Sequence, residues 1–212
     1  MTIAMDQASE AVLEVDAAPA RLQALLDRQR SAFLAEGPPS AVVRRDRIDR
    51  LSMAVLEHAD DLAEAPLLDF GNRPLATSIG SDVLGSLPDI DHARQHPESW
   101  MAPQPIEGYA ARGLPTIAQH PPKGVVGVIG PWNFPVSLVI TPAVEALAAG
   151  NRVMIRVSEI PARTGEVLAA AIAERMSSEE VVVVLDGPRE RAASTRAQPT
   201  STSTEHEGSV SE

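Results

Sequence analysis

Apolar residues fall at helical spacing from residue 21 onward. The run RLQALLDRQRSAFLA (21–35) puts Leu22, Leu25, Leu26, Gln29 and Phe33 on one side, which predicts an amphipathic helix. Gly37-Pro38-Pro39 ends it, and Ser40 fits the N-cap of a second helix whose buried side takes Val43, Ile48, Leu51, Val55 and Leu62. Pro66, late in that pattern, is expected to stop or kink it, because it removes a helical N–H and clashes with the preceding turn. The chain then turns around Asp69-Phe70-Gly71-Asn72. A third helical stretch is predicted over 76–96, with Pro88 inside it. Residues 97–122, rich in Pro and Gly, read as a long crossing loop or edge strand.

The rhythm changes at residue 124. GVVGVI (124–129) is a continuous apolar run that suits a strand buried on both faces. A helix over 136–149 follows, ended by Gly150-Asn151. RVMIR (152–156) is a short strand, 163–176 a helix with Val167, Leu168, Ala171 and Ile172 on one side, and VVVVL (181–185) a third strand. Strand–helix–strand–helix–strand at these lengths implies a parallel sheet with right-handed crossovers. The fold class expected is therefore α/β, with N-terminal helices followed by the first part of a doubly wound parallel sheet. The expected segments are a disordered N-terminus (1–20), a helical segment with its crossing loop (21–122), a partial dinucleotide-binding segment (123–185) and a tail (186–212). The tail has no apolar periodicity and reads as disordered.

Composition narrows the function. Asp and Glu outnumber Lys and Arg, for a net charge of −11, and Lys123 is the single lysine. No basic excess is available to neutralise phosphates, so nucleic acid and anionic membrane are not expected partners. Cysteine is absent, which excludes disulfides, thiolate metal sites and a cysteine nucleophile within these residues. His58, His92, His96 and His120 form no metal-ligating pattern; His92 and His96, four apart, are expected to face solvent, and no metal is expected. The acidic N-terminus lacks the features of a secretory signal, and a cytoplasmic location is expected. Residues 124–144 carry no charge, but Pro131, Asn133, Pro135 and Pro142 interrupt them, so a buried strand–turn–helix is expected rather than a membrane span. Glu145 falls among the apolar residues of a helix expected to be buried.

One turn stands out. Pro131-Trp132-Asn133-Phe134-Pro135 places one of only two tryptophans, an amide and a phenylalanine between two apolar runs. A turn that only reversed the chain would use Gly, Asn, Asp or Ser. Gly124, Gly127 and Gly130, spaced by three, do not make the usual dinucleotide fingerprint and carry no weight as a phosphate loop.

The stretch GVVGVIGPWNFP, followed by ALAAGNRVMIRVSEIPARTGEVLAAAI, resembles the aldehyde dehydrogenase superfamily. QRSAFLAEGPPS (29–40), RRDRIDRL (44–51), DFGNRP (69–74) and HARQHPESWM (92–101) resemble its coniferyl aldehyde dehydrogenase branch. The resemblance runs from about residue 20 to about 185. It implies oxidation of an aldehyde to a carboxylic acid with NAD, NADP being the less expected cofactor, in an enzyme that forms homo-oligomers. It implies that Asn133 donates to the aldehyde oxygen as charge develops there, a contact typically worth about 10²–10³ in rate. Ile129, Pro131 and Trp132 would line the cofactor cleft. Arg156, Ser158 and Glu159 stand where the family has Lys-Pro-Ser-Glu, and Arg156 and Glu159 would hydrogen-bond the adenosine ribose, the carboxylate disfavouring a 2′-phosphate.

Departures from the family pattern are equally plain. The family's nucleophile is a cysteine in a later segment, and the general-base glutamate also lies beyond the point where the resemblance ends. Arg156 for Lys and Val157 for Pro change the ribose contact. The expectation is an N-terminal portion of such an enzyme, truncated within its cofactor domain and inactive. The alternatives are a non-catalytic protein binding nucleotide or a dehydrogenase subunit, or a pseudogene product. A sheet stopping at three strands with a bare apolar edge would be costly, which suggests an out-of-frame tail. Reading the other two frames past codon 185 for later family motifs tests this.

Overall fold

The Val- and Ile-rich runs do form the sheet. The computed structural model describes residues 12–15, 19–109 and 112–186. Three parallel strands, β4 (Val125–Ile129), β5 (Arg152–Arg156) and β6 (Val181–Asp186), lie in sequence order, joined by helices α6 (Ser137–Ala148) and α7 (Ala162–Arg175). Because each crossover steps the same way across the sheet, right-handed connections put α6 and α7 on one face. α6 ends where predicted, with Gly150 at φ 87°. The Asn151 side chain accepts from the Lys123 and Gly124 N–H groups at 2.7 and 3.0 Å and donates to the Ala146 carbonyl, fixing where β4 begins.

Two expectations about the sheet are corrected. Residues 12–15, placed in a disordered N-terminus, form β1 (Val12–Val15), paired in parallel with β6, so the third strand is not left with a bare edge. The run 124–129 is not buried on both faces: β4 is the outer strand of the order β1-β6-β5-β4, and one of its faces stays open. Val128 is buried while Gly127 and Ile129, on the opposite face, are exposed.

The N-terminal helices build a second layer over α6 and α7. Helix α1 (Pro19–Glu36) lies across the N-terminal ends of the strands, where Gln29 donates to the carbonyls of Val153 and Ser178. Ser40 caps α2 (Ala41–Glu57), accepting from the Val43 N–H at 3.4 Å. Pro66 neither stops the next helix nor divides it: the break falls at His58, and α3 (Ala59–Phe70) runs through a buried Pro66 to Gly71. The stretch predicted as one helix over 76–96 is divided. A helical turn at Leu75–Thr77 opens into a π-helical turn at Ser78–Val83, then a 3₁₀ turn at Leu84–Ser86, before α4 (Leu87–Gln95), with Pro88 in its first turn. A short α5 (Pro97–Met101) and an antiparallel pair, β2 (Gln104–Pro105) with β3 (Ile117–Ala118), occupy the expected crossing loop.

One core joins the two layers. Ile48, Leu51 and Val55 of α2 and Leu62 of α3 pack with Ile140, Val144 and Leu147 of α6 and with Leu168 and Ile172 of α7, all fully or nearly fully buried. Glu145, on the helix expected to be buried, is itself exposed, on the solvent side of a largely apolar α6. No helix among the described residues is long and apolar enough to cross a membrane. The tail expected to be disordered begins within β6, which reaches Asp186; residues 187–212 lie outside the described residues.

Candidate functional site

At the C-terminal ends of β4 and β5 the predicted site residues meet. Ile129 is the register partner of Arg156, and the Gly130 N–H donates to the Arg156 carbonyl at 2.8 Å. The turn Pro131–Pro135 leaves the sheet from this point, and Val157-Ser158-Glu159 leaves beside it. Such strand ends are where open α/β sheets take ligands. Ile129 is 80% exposed and Trp132 55% exposed, which leaves apolar surface uncovered at the strand ends. Ser158 and Glu159 are half-buried, their side chains 3.5 Å apart, and Arg156 is exposed.

Trp132, Asn133 and Phe134 line an open cleft of about 390 Å³ with Phe70, Asn72, Arg73, Pro74 and Thr77. Trp132 meets the Phe70 ring edge-on, with centroids 6.3 Å apart. The cleft and the Arg156–Glu159 loop are therefore two parts of one sheet end rather than one pocket. Ile129, Pro131, Arg156, Ser158 and Glu159 do not line the cleft.

Two residues with no assigned role support the turn. Arg73, in the DFGNRP segment, donates to the Asn133 carbonyl, lies over the Phe134 ring at 5.1 Å, and pairs with Asp82 at 3.4 Å. Asp82, whose side chain is 1% exposed, accepts from the Val136 and Ser137 N–H groups at 3.1 and 2.8 Å, at the start of α6. Burial pushes its carboxyl above the usual range, while the Ser137 N–H, the Arg73 guanidinium and the Val136 N–H pull it back. The DFGNRP segment is visible in the sequence; the reach of its Arg73 to Asn133, sixty residues away, is not.

A second carboxylate does the same for α7. Asp69 accepts from the Arg163 and Thr164 N–H groups at 3.0 and 2.9 Å and from the Thr164 hydroxyl at 2.7 Å. Helix N-termini at strand ends are ordinary phosphate sites, but here side-chain carboxylates already hold both. Pro131 and Pro135 have no N–H to offer. The residues present thus fit the nucleoside end of a dinucleotide, through apolar Ile129 and Trp132 and polar Arg156 and Glu159, and fit its pyrophosphate poorly. Among the described residues no group of three or more His, Asp or Glu side chains could hold a metal.

Comparison with known proteins agrees with this architecture. The model of the aldehyde dehydrogenase family matches residues 7–201. A probable coniferyl aldehyde dehydrogenase of Caulobacter vibrioides is 42% identical over 181 residues, covering 83% of this chain and 37% of the relative, so the chain spans little more than a third of that relative's length. The solved chain of Staphylococcus aureus AldH in its substrate-bound state superposes with a TM-score of 0.73 at 22% identity, covering 82% of this chain and 38% of its own length. The indole-3-acetaldehyde dehydrogenase AldA of P. syringae, solved with NAD+ and IAA, superposes with a TM-score of 0.63 at 22% identity, over 80% of this chain and 34% of its own. Its sequence match along nearly the whole length and the fold of its strands and helices make this chain a member of the aldehyde dehydrogenase family.

Proposed function

We propose that the chain carries the aldehyde-orienting turn and the adenosine-side contacts of an NAD-dependent aldehyde dehydrogenase of the coniferyl-aldehyde type, and that these residues alone do not oxidise aldehyde. The observation that carries this reading is the Gly130 N–H to Arg156 carbonyl bond, which sets the Asn133 turn and the Arg156–Glu159 loop side by side. The coniferyl-aldehyde relative from Caulobacter supports the substrate class, and the NAD+ held by the P. syringae enzyme supports the cofactor.

Each residue has a definite part in this proposal. Asn133 donates its side-chain amide to the aldehyde oxygen, where negative charge grows as the carbonyl carbon becomes tetrahedral. Trp132 and Ile129 give the cofactor an apolar wall that excludes water. Arg156 and Glu159 hydrogen-bond the ribose, and the Glu159 carboxylate repels a 2′-phosphate. NAD supplies the hydride acceptor when bound. The thiol that would form a thiohemiacetal has no counterpart among these 212 residues.

Calorimetric titration with NAD and with NADP tests the cofactor side. Binding weaker than micromolar, NAD ahead of NADP, and a narrowed gap between them in Glu159→Gln are expected, because the ribose contacts are present while both helix N-termini are occupied. Micromolar or tighter binding, or a preference for NADP, contradicts the proposal.

A further inference from the structure

We propose that Arg73 and Asp82 are positioning residues for Asn133: together they tie the Pro131–Pro135 turn to the N-terminal helical layer and fix where its amide stands. The inference rests on the reading of Asn133 as an oxyanion donor and adds the device that holds it. A turn with two prolines still needs an anchor, because it emerges from an edge strand with solvent beside it. Arg73 supplies one anchor from outside the sheet. Its guanidinium reaches the Asn133 carbonyl, the Phe134 ring and the Asp82 carboxylate at once. A planar fork of donors suits three such partners in a way a single ammonium does not.

Asp82 holds the other end of the turn. It takes the N–H groups of Val136, just before α6, and of Ser137, the first residue of α6, immediately after Pro135. The π-helical turn Ser78–Val83 sets Asp82 in this place, and such turns in otherwise helical segments recur beside functional sites. The turn is thus bounded by β4 on one side and by this ion pair on the other, with Asn133 between them. Gly130 and the Arg156 carbonyl fix its start; Arg73 and Asp82 fix its middle and end.

Hydrogen exchange on the full chain, with the two tryptophan indole signals read by ¹H–¹⁵N NMR, tests this without NAD or aldehyde. In Arg73→Ala, backbone exchange should rise across residues 131–140 only, and the Trp132 indole should lose the shift its edge-on contact with Phe70 gives it. The Trp100 indole should stay. Arg73→Lys should restore the indole shift in part. Asp82→Asn, which keeps the acceptor oxygen but not the charge, should loosen the turn less than Asp82→Ala. Unchanged exchange over 131–140 in Arg73→Ala overturns the proposal, and so does exchange that rises equally over α7 and β5, which marks a merely structural pair. If Asp82→Ala does not fold, Arg73→Ala and Asp82→Asn decide the matter. A wrong cofactor assignment would show in the titrations above and leave these signals untouched.

Discussion

Gly130 and Asn133, three residues apart, answer to different demands. A Cβ on Gly130 would lie 2.3 Å from Val139 Cγ1, so the strand can leave the sheet here only without a side chain. Gly130→Ala should cost about 1–3 kcal/mol through overpacking, read from urea unfolding. Asn133 is exposed, and Arg73 grips its backbone rather than its side chain. Asn133→Ala should therefore change stability by less than about 0.5 kcal/mol. A larger loss would mean that the amide serves the fold and not a ligand. At this scale the sequence named Asn133, Trp132, Arg156 and Glu159 through a motif. It missed Arg73 and Asp82, because nothing local marks an ion pair whose purpose is a turn fifty to sixty residues further on.

The elements were legible where periodicity is strong. β5, α6, α7 and β6 fall within a residue or two of the predicted ranges, because each has an apolar stripe or run closed by Gly or by a change in polarity. The misreadings came from tertiary support. Pro66 is tolerated inside α3 because burial against the core holds that helix together despite the lost N–H. The edge position of β4 depends on strand order, which an apolar run does not encode. A polar cluster at the N-terminal strand ends was not foreseen either. Arg47 and Arg50 of α2 pair with Glu180 at 2.9 and 2.8 Å, and Glu36 at the end of α1 pairs with Arg47 and with Arg152 of β5 at 2.7 and 3.0 Å.

That cluster gives the elements a pH signature. Burial alone would push Glu180 up, but the Arg50 and Arg47 guanidiniums hold it well down, from the ordinary 4.5 to about 2. A carboxyl depressed in the fold contributes stability that is complete above its unfolded value and lost as pH falls through its folded one. Buried Asp82, shifted upward, acts in the opposite sense, so total acid sensitivity does not isolate Glu180. Glu180→Gln does. The variant should be less stable than the natural chain by at most about 3 kcal/mol at neutral pH, with the difference shrinking between pH 4.5 and pH 2. Parallel stability curves across that window would show that the ion pairs contribute nothing net.

The whole molecule has two ends. Across the N-terminal strand ends lie α1 and the Arg–Glu cluster, which tie the helical layer to the sheet. At the C-terminal ends stand the Asn133 turn, the Arg156–Glu159 loop and the carboxylates Asp69 and Asp82 on the two helix N-termini. The expected division into a helical segment and a dinucleotide-binding segment hides this, since Asp69 and Asp82 of the first segment cap the helices of the second. Neither segment is expected to be stable without the other. The proposed oxyanion donor Asn133 and the proposed ribose residues Arg156 and Glu159 thus share one end of the sheet, and the 212 residues include no cysteine. NADH absorbance tests this most directly, with the purified chain incubated with NAD and a cinnamyl-type aldehyde. No NADH above the enzyme-free background is expected, and formation at ordinary enzyme rates would contradict the claim that these residues hold the aldehyde but lack the nucleophile.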